Sequence, residues 1–214
     1  MKKRLARVLV FVMLGAVLSA QAETAVDTIL SAGTVQAFSQ DAVAKEDIET
    51  ILEAGISTAS AMNLQPWYFA AVTDTQSMEA ILQDDPDLQA QEGAAQEADQ
   101  DAGASAKAGL GDSPLAIIIY ADESASSFAT FDCGLACQNM VIAANALGYG
   151  TKIIASPTTA LNGENHDAFC EMLGVDTGLN AVAVLLVGTA DPSVDAATGA
   201  TTREAMDAKV SFVE

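Results

Sequence analysis

Between Thr58 and Phe69 the chain reads Thr-Ala-Ser-Ala-Met-Asn-Leu-Gln-Pro-Trp-Tyr-Phe. Ser60, Asn63 and Gln65 place one hydroxyl and two amides close together in this stretch. Such groups both donate and accept hydrogen bonds, which suits a neutral heteroaromatic ring better than a phosphate. Pro66 fixes its own φ and biases Gln65 towards an extended conformation, so the loop is stiff where it hands over to the next element. Trp67 is the only tryptophan in the chain. Composition alone leaves two readings open: a ligand loop, or a packed helix-to-strand connection with Trp67 in the core.

The elements that must position this stretch follow from periodicity. Residues 23–30 begin a first helix, and 31–41 form a loop that contains Phe38. Over 42–56 the apolar residues Ile48, Ile51, Leu52, Gly55 and Ile56 recur at helical spacing, with Lys45, Glu46, Glu49 and Glu53 on the wet side. That amphipathic helix delivers the chain into the loop. Residues 67–73 are short, apolar and aromatic, a buried strand, and 76–83 read as a short helix. Residues 115–121 are apolar at every position, as in a sheet covered on both faces. Residues 131–147 form a long helix interrupted only by Asp132, Gln138, Asn139 and Asn145. A helix apolar nearly all round is buried in a core or against a partner subunit. Gly148 follows at its C-terminal cap. Strands over 151–155 and 180–188 flank a short helix over 165–173, and residues 210–213 of the tail are strand-like and able to pair outside their own core. Strands separated by helices argue an α/β or α+β domain.

Composition bounds the rest. Lys2, Lys3, Arg4 and Arg7 precede an apolar run over 8–18, and Ser19-Ala20-Gln21-Ala22 ends in a small-x-small pattern. This predicts a signal peptide over residues 1–22, with cleavage near Ala22/Glu23 and an exported protein. The apolar run is shorter than the ~20 residues of a membrane span. Residues 23–214 then make one domain, within which 84–112 is an acidic, mobile excursion rich in Gln, Glu, Ala and Gly. Removing the four leader cations leaves five basic residues against 29 acids, a net charge of −24. A surface so acidic excludes nucleic acid as a partner and disfavours an anionic membrane. Cys133, Cys137 and Cys170 read as small buried thiols, and with His166 the only histidine no metal site is expected.

The run Ala59-Ser60-Ala61-Met62-Asn63-Leu64-Gln65-Pro66-Trp67 resembles the Pro-Ser-x-x-Asn-x-Gln-Pro-Trp signature of the nitroreductase family of FMN-dependent oxidoreductases, with Ala59 where the family usually has proline. The order of the other elements resembles that family over essentially all of residues 23–214. The resemblance implies an α+β fold with a central, mostly antiparallel sheet surrounded by helices. It also implies an obligate homodimer with the long helix in the interface, and an FMN at each subunit boundary. The chemistry would be ping-pong hydride transfer from NAD(P)H through FMN to a nitroaromatic, quinone or similar acceptor, in which the flavin carries the hard step.

Residue by residue, the resemblance carries Ser60, Asn63 and Gln65 to the flavin and its ribityl chain. Pro157 and Thr158 fall where the family sets a loop against the ring, and Arg203 where it has a phosphate-contacting arginine. The family's N-terminal Arg-Arg-Ser-x-Arg-x-Phe loop aligns with Ala32-Gly33-Thr34-Val35-Gln36-Ala37-Phe38. Thr34 keeps the hydroxyl and Gln36 a neutral hydrogen-bonding head, whereas the arginines are gone. Each such loss costs on the order of 1.5–3 kcal/mol, what a hydrogen bond to a charged group contributes. Hence a second reading: a degenerate relative that binds riboflavin or another ring ligand without turnover. No catalytic side chain is assigned, and Asp132 is expected only to cap the long helix.

Overall fold

Two continuous apolar runs set the centre of the sheet. The computed structural model describes residues 26–84, 110–195 and 203–213. The expected leader over 1–22 and most of the 84–112 excursion lie outside the described residues. Strands β1 (Trp67–Val72), β2 (Leu115–Ala121), β3 (Gly150–Ile154) and β4 (Asn180–Gly188) form one sheet in the order β1-β2-β4-β3. All three neighbouring pairs are antiparallel. β2 is buried at every position because β1 and β4 pair along both its edges and helices cover both its faces. Its register with β4 slips between Ile119 and Tyr120, a bulge that leaves Val182 without an opposite residue.

Alternation along β2 divides the core in two. Ala116, Ile118 and Tyr120 face one cluster with Met78, Leu161, Phe169 and Cys170. These come from α3 (Thr75–Gln83), α5 (Thr158–Leu161) and α6 (His166–Leu173). Leu115, Ile117, Ile119 and Ala121 face the other, with Ile51, Cys133, Cys137 and Met140. That second layer is α2 (Lys45–Ile56) and the long α4 (Ala129–Ala146). The arrangement is the α+β, mostly antiparallel sheet between helices that the resemblance implies.

Several boundaries move for local reasons. A short helical segment, α1, occupies residues 26–31. α2 starts at Lys45 and not at 42, because Ala44 is extended (φ −63°, ψ 141°). α3 begins one residue early because the Asp74 carboxylate accepts the Gln76 and Ser77 N–H groups as its N-cap. α6 ends at Gly174, whose φ of 67° is left-handed. The strand-like residues 210–213 take no strand conformation within this protomer. Met206–Lys209 makes one helical turn, and the residues after it pair with no strand among those described. Phe212 and Val213 are exposed there.

Candidate functional site

The loop after α2 is shaped by the long helix. At Gly55 an added Cβ would lie 2.9 Å from Met140 Cγ and 3.1 Å from Phe69 Cε2, so only glycine lets α2 approach α4 this closely. The chain thus leaves α2 pressed against α4. Asn139 Nδ2 donates to Thr58 Oγ1 at 2.8 Å, and the Ala61 N–H donates to Asp132 Oδ2 at 3.1 Å. Asp132 is buried, 2% exposed. It does not cap α4, which begins three residues earlier at Ala129; it faces inward and serves the loop instead. Farther on, the Gln65 N–H donates to Ser60 Oγ at 2.9 Å, and the Asp122 N–H to the Pro66 carbonyl at 2.7 Å.

Pinned at both ends, the loop turns tightly through Ala61–Asn63 and takes left-handed backbone at Met62 (φ 51°), Asn63 (φ 58°) and Gln65 (φ 48°). Residues with a Cβ pay about 1–2 kcal/mol each for that conformation, asparagine less. Such strain persists only where the surroundings over-determine it, and it gathers at ligand sites. Gln65 is therefore not extended as its proline neighbour suggested. Proline disfavours the right-handed helical region for the preceding residue, and the bond to Ser60 goes with the left-handed turn. Asn63 and Gln65 are exposed, Ser60 half-buried. Trp67 stacks on Phe69 (centroids 6.5 Å apart, planes 6° apart) and is half-buried against the α2–α4 core.

The middle of α4, at Gln138 and Val141, borders a cleft of about 580 Å³, within the ~300–1,000 Å³ usual for small-molecule sites. Thr34 and Arg203 line it, 169 positions apart in the chain, together with Ala32, Gly33, Gln138 and Thr151. The bridge from Thr34 to Thr151 and the bond from the Val35 N–H to the Thr151 carbonyl (3.0 Å) lay this segment along β3. At Gly150 an added Cβ would collide with Val35 Cγ2. Phe38 is bridged to Ala190 beyond β4. Ala32 and Gly33, which stand where the resemblance would put arginines, add no charge to the cleft wall.

The remaining expected residues are dispersed. Gln36 does not line the cleft, and its Nε2 donates to the Thr34 carbonyl at 3.3 Å. Pro157 is buried at the start of α5, and Thr158 Oγ1 donates to the Ala155 carbonyl at 2.7 Å. Ser60, Asn63 and Gln65 do not line the cleft either. One protomer thus presents two pieces, a rigid amide-bearing loop and a cleft with a guanidinium, joined through α4. Both can bind and orient a ligand.

Two side-chain roles that the sequence did not reveal act on this framework. Asp132 and Asn139 sit seven apart on α4, a spacing that places both on one helical face, but no local pattern names their partners. His166, the only histidine, lies between two carbonyls, with Nδ1 at 2.7 Å from Leu161 O and Nε2 at 3.0 Å from Thr177 O. The Leu161 and then the Thr177 carbonyl raise its pKa above the ordinary imidazole value. Cys133, Cys137 and Cys170 are buried free thiols. Burial, with smaller contributions from Asp132 and Cys137, pushes the Cys133 thiol up to about 12.

Known proteins align with this architecture. The sequence model of the Nitroreductase family matches residues 29–189. A Methanothermobacter thermautotrophicus protein, provisionally named an NADH dehydrogenase/NAD(P)H nitroreductase, is 29% identical over 127 residues. That match covers 58% of this chain and 56% of the relative, so the chain spans little more than half the relative's length. Among solved structures, a Bacteroides fragilis nitroreductase with bound FMN superposes with a TM-score of 0.71 at 21% identity, over 89% of this chain and 98% of that one. A Desulfitobacterium hafniense nitroreductase with bound FMN gives 0.71 at 23% identity over the same shares. At such identities the structural likeness speaks for the fold, and the family match extends from α1 past the end of β4. The chain belongs to the nitroreductase family.

Proposed function

We infer that this protein is an FMN-dependent oxidoreductase that reduces a nitroaromatic, a quinone or a similar small acceptor. The observation that carries the reading is the loop from Ser60 to Gln65. Its family signature is intact, and it is held in strained left-handed backbone that leaves Asn63 and Gln65 facing outward. These amides suit the hydrogen-bonding edge of a flavin ring. The cleft fits the other end: the Arg203 guanidinium and the Thr34 hydroxyl can hold a phosphate. When bound, FMN supplies hydride acceptance and donation, so that NAD(P)H and the acceptor use the site in turn by a ping-pong scheme.

A homodimer suits the surface. Phe128, Phe131 and Leu135 at the start of α4 are exposed, as are Phe212 and Val213 in the tail. Phe128, Phe131 and Leu135 recur at helical spacing, and an exposed apolar strip of that kind suits an association surface. The dimer would close a site of which one protomer supplies only the two separate pieces. The leader features over 1–22 support export, with residues 23–214 as the single domain.

One observation favours the second reading, riboflavin or another ring ligand bound without turnover: Ala32 and Gly33 leave that part of the cleft wall uncharged. Titration of the purified protein with FMN and with riboflavin separates the two. The proposed enzyme perturbs the FMN spectrum, gains melting temperature with FMN, and oxidises NADH or NADPH with a quinone or nitroaromatic acceptor. Arg203→Ala should weaken FMN by about 10- to 150-fold, the loss of one charge-assisted contact, and leave riboflavin unchanged. No spectral change and no stabilisation by either flavin would overturn both readings.

A further inference from the structure

We propose that Asp132 and Asn139 are positioning residues through which α4 sets the conformation of the ring-contacting loop. The proposal rests on the flavin reading for its functional part, but its structural part stands on geometry. The two side chains are two helical turns apart, about 10 Å along the axis. They grip the loop at Ala61 and Thr58 respectively, in antiparallel sense. Met62, Asn63 and Gln65, the left-handed residues, follow directly after the Asp132 contact.

The chemistry of the Asp132 contact is specific. Ser60 is the N-cap residue of the Ala61–Asn63 turn, but its hydroxyl makes no cap bond there and accepts the Gln65 N–H instead. The Ala61 N–H, the first of the turn and one that no local cap side chain reaches, donates instead to the Asp132 carboxylate from 71 residues away. A buried carboxylate is retained where it is hydrogen-bonded, and this one is bonded to the loop backbone. Asn139 adds the second grip. Its amide donates to Thr58 Oγ1, and Thr58 Oγ1 donates on to the Ala54 carbonyl at 3.4 Å, tying the loop's entrance to the last turn of α2. With the loop's exit held by Asp122 at Pro66, the backbone between has little freedom except the tight turn it adopts. The amides of Asn63 and Gln65 are thereby aimed before any ligand arrives, which lowers the ordering cost of binding.

The test uses full-length protein and four variants: Asp132→Ala, Asp132→Asn, Asn139→Leu and Arg203→Ala. Amide hydrogen exchange without ligand reads the loop directly. Asp132→Ala and Asn139→Leu should speed exchange over residues 60–65 by about tenfold or more, with β2 and β4 unchanged. Asp132→Asn keeps an acceptor oxygen for the Ala61 N–H and should restore wild-type exchange. In flavin titrations Asp132→Ala and Asn139→Leu should weaken FMN and riboflavin equally, whereas Arg203→Ala affects FMN alone. Unchanged loop exchange in Asp132→Ala would overturn the proposal. So would faster exchange spread evenly over the sheet, which marks a merely structural residue, or faster loop exchange with wild-type affinity for both flavins. If the wild type binds neither flavin, the function reading fails while the exchange experiment still decides whether α4 positions the loop.

Discussion

Tyr120 allows a prediction whose size follows from the structure. Its side chain is fully buried in the cluster with Ile118, Phe169, Cys170 and Val184, and its hydroxyl finds no hydrogen-bond partner among the described residues. A buried hydroxyl without a partner costs about 1–3 kcal/mol, because unfolding returns it to water. Tyr120→Phe removes the hydroxyl and keeps the ring, at the expense of a gap near methyl size worth about 1 kcal/mol. The variant should therefore be more stable by up to about 2 kcal/mol. For a domain of this size each kcal/mol raises Tm by roughly 2–4 °C. Burial also raises the hydroxyl pKa above its ordinary value, with a smaller contribution from Cys170. The sign then follows: above about pH 10 the unfolded chain ionises this tyrosine while the folded one does not, so wild-type stability falls with rising pH. The advantage of Tyr120→Phe should widen by about 1.4 kcal/mol per pH unit there. Urea unfolding followed by the fluorescence of Trp67, the sole tryptophan, measures both effects at one protein concentration. A Tyr120→Phe variant less stable than wild type at neutral pH, or a gap that stays constant in alkali, would show that the hydroxyl is partnered.

Gly188→Ala should be destabilising by about 1–3 kcal/mol, since its Cβ would lie 2.7 Å from Pro114 Cδ and 3.1 Å from Phe38 Cδ1, neither of which can swing away. A lowered urea midpoint at unchanged m is the expected readout, and an unchanged midpoint would contradict the packing. His166 is held by two carbonyl acceptors that only the imidazolium can satisfy together. Its pKa is raised, so its contribution to stability is complete below about pH 6.5 and is lost as pH rises through the higher folded value. His166→Gln should accordingly cost more at about pH 5.5 than at about pH 9, and equal costs at both would refute the assignment. Burial pushes Cys137 up to about 11, and Cys133 higher still. Native protein at about pH 8 should resist a thiol-reactive dye, with all three cysteines reacting only on unfolding. Stoichiometric labelling without unfolding would count against their burial.

Much of the architecture was readable because it rests on local periodicity and turn chemistry. β2 and β4 lie where their uninterrupted apolar runs predict, residues 115–121 and 180–188. α2 ends at Ile56, and α4 falls within two residues of its expected bounds. The loop's polar groups, the hydroxyl and amides of Ser60, Asn63 and Gln65, were readable in the sequence, but their geometry was not. The expected cap role of Asp132 failed because helix caps are local rules, and this carboxylate answers a backbone donor far away in the chain. Residues 210–213 are strand-like in sequence and pair with no strand among the described residues of this protomer, because periodicity does not specify the partner edge that a strand needs.

What the sequence determined by itself is the set of elements, the two covered central strands, and the family signature of the loop at Ser60–Trp67, since each depends on residues within a few positions of one another. Only the tertiary structure decided the rest. The strand order β1-β2-β4-β3, the meeting of Thr34 with Arg203 in one cleft, and the left-handed turn at Met62, Asn63 and Gln65 all depend on distant contacts. The turn is the clearest case. Its bonds to Asp132 and Asn139 span 71 and 81 residues, and backbone strain of that kind is held by the helix packed against it, a contact that no sequence window around the loop contains.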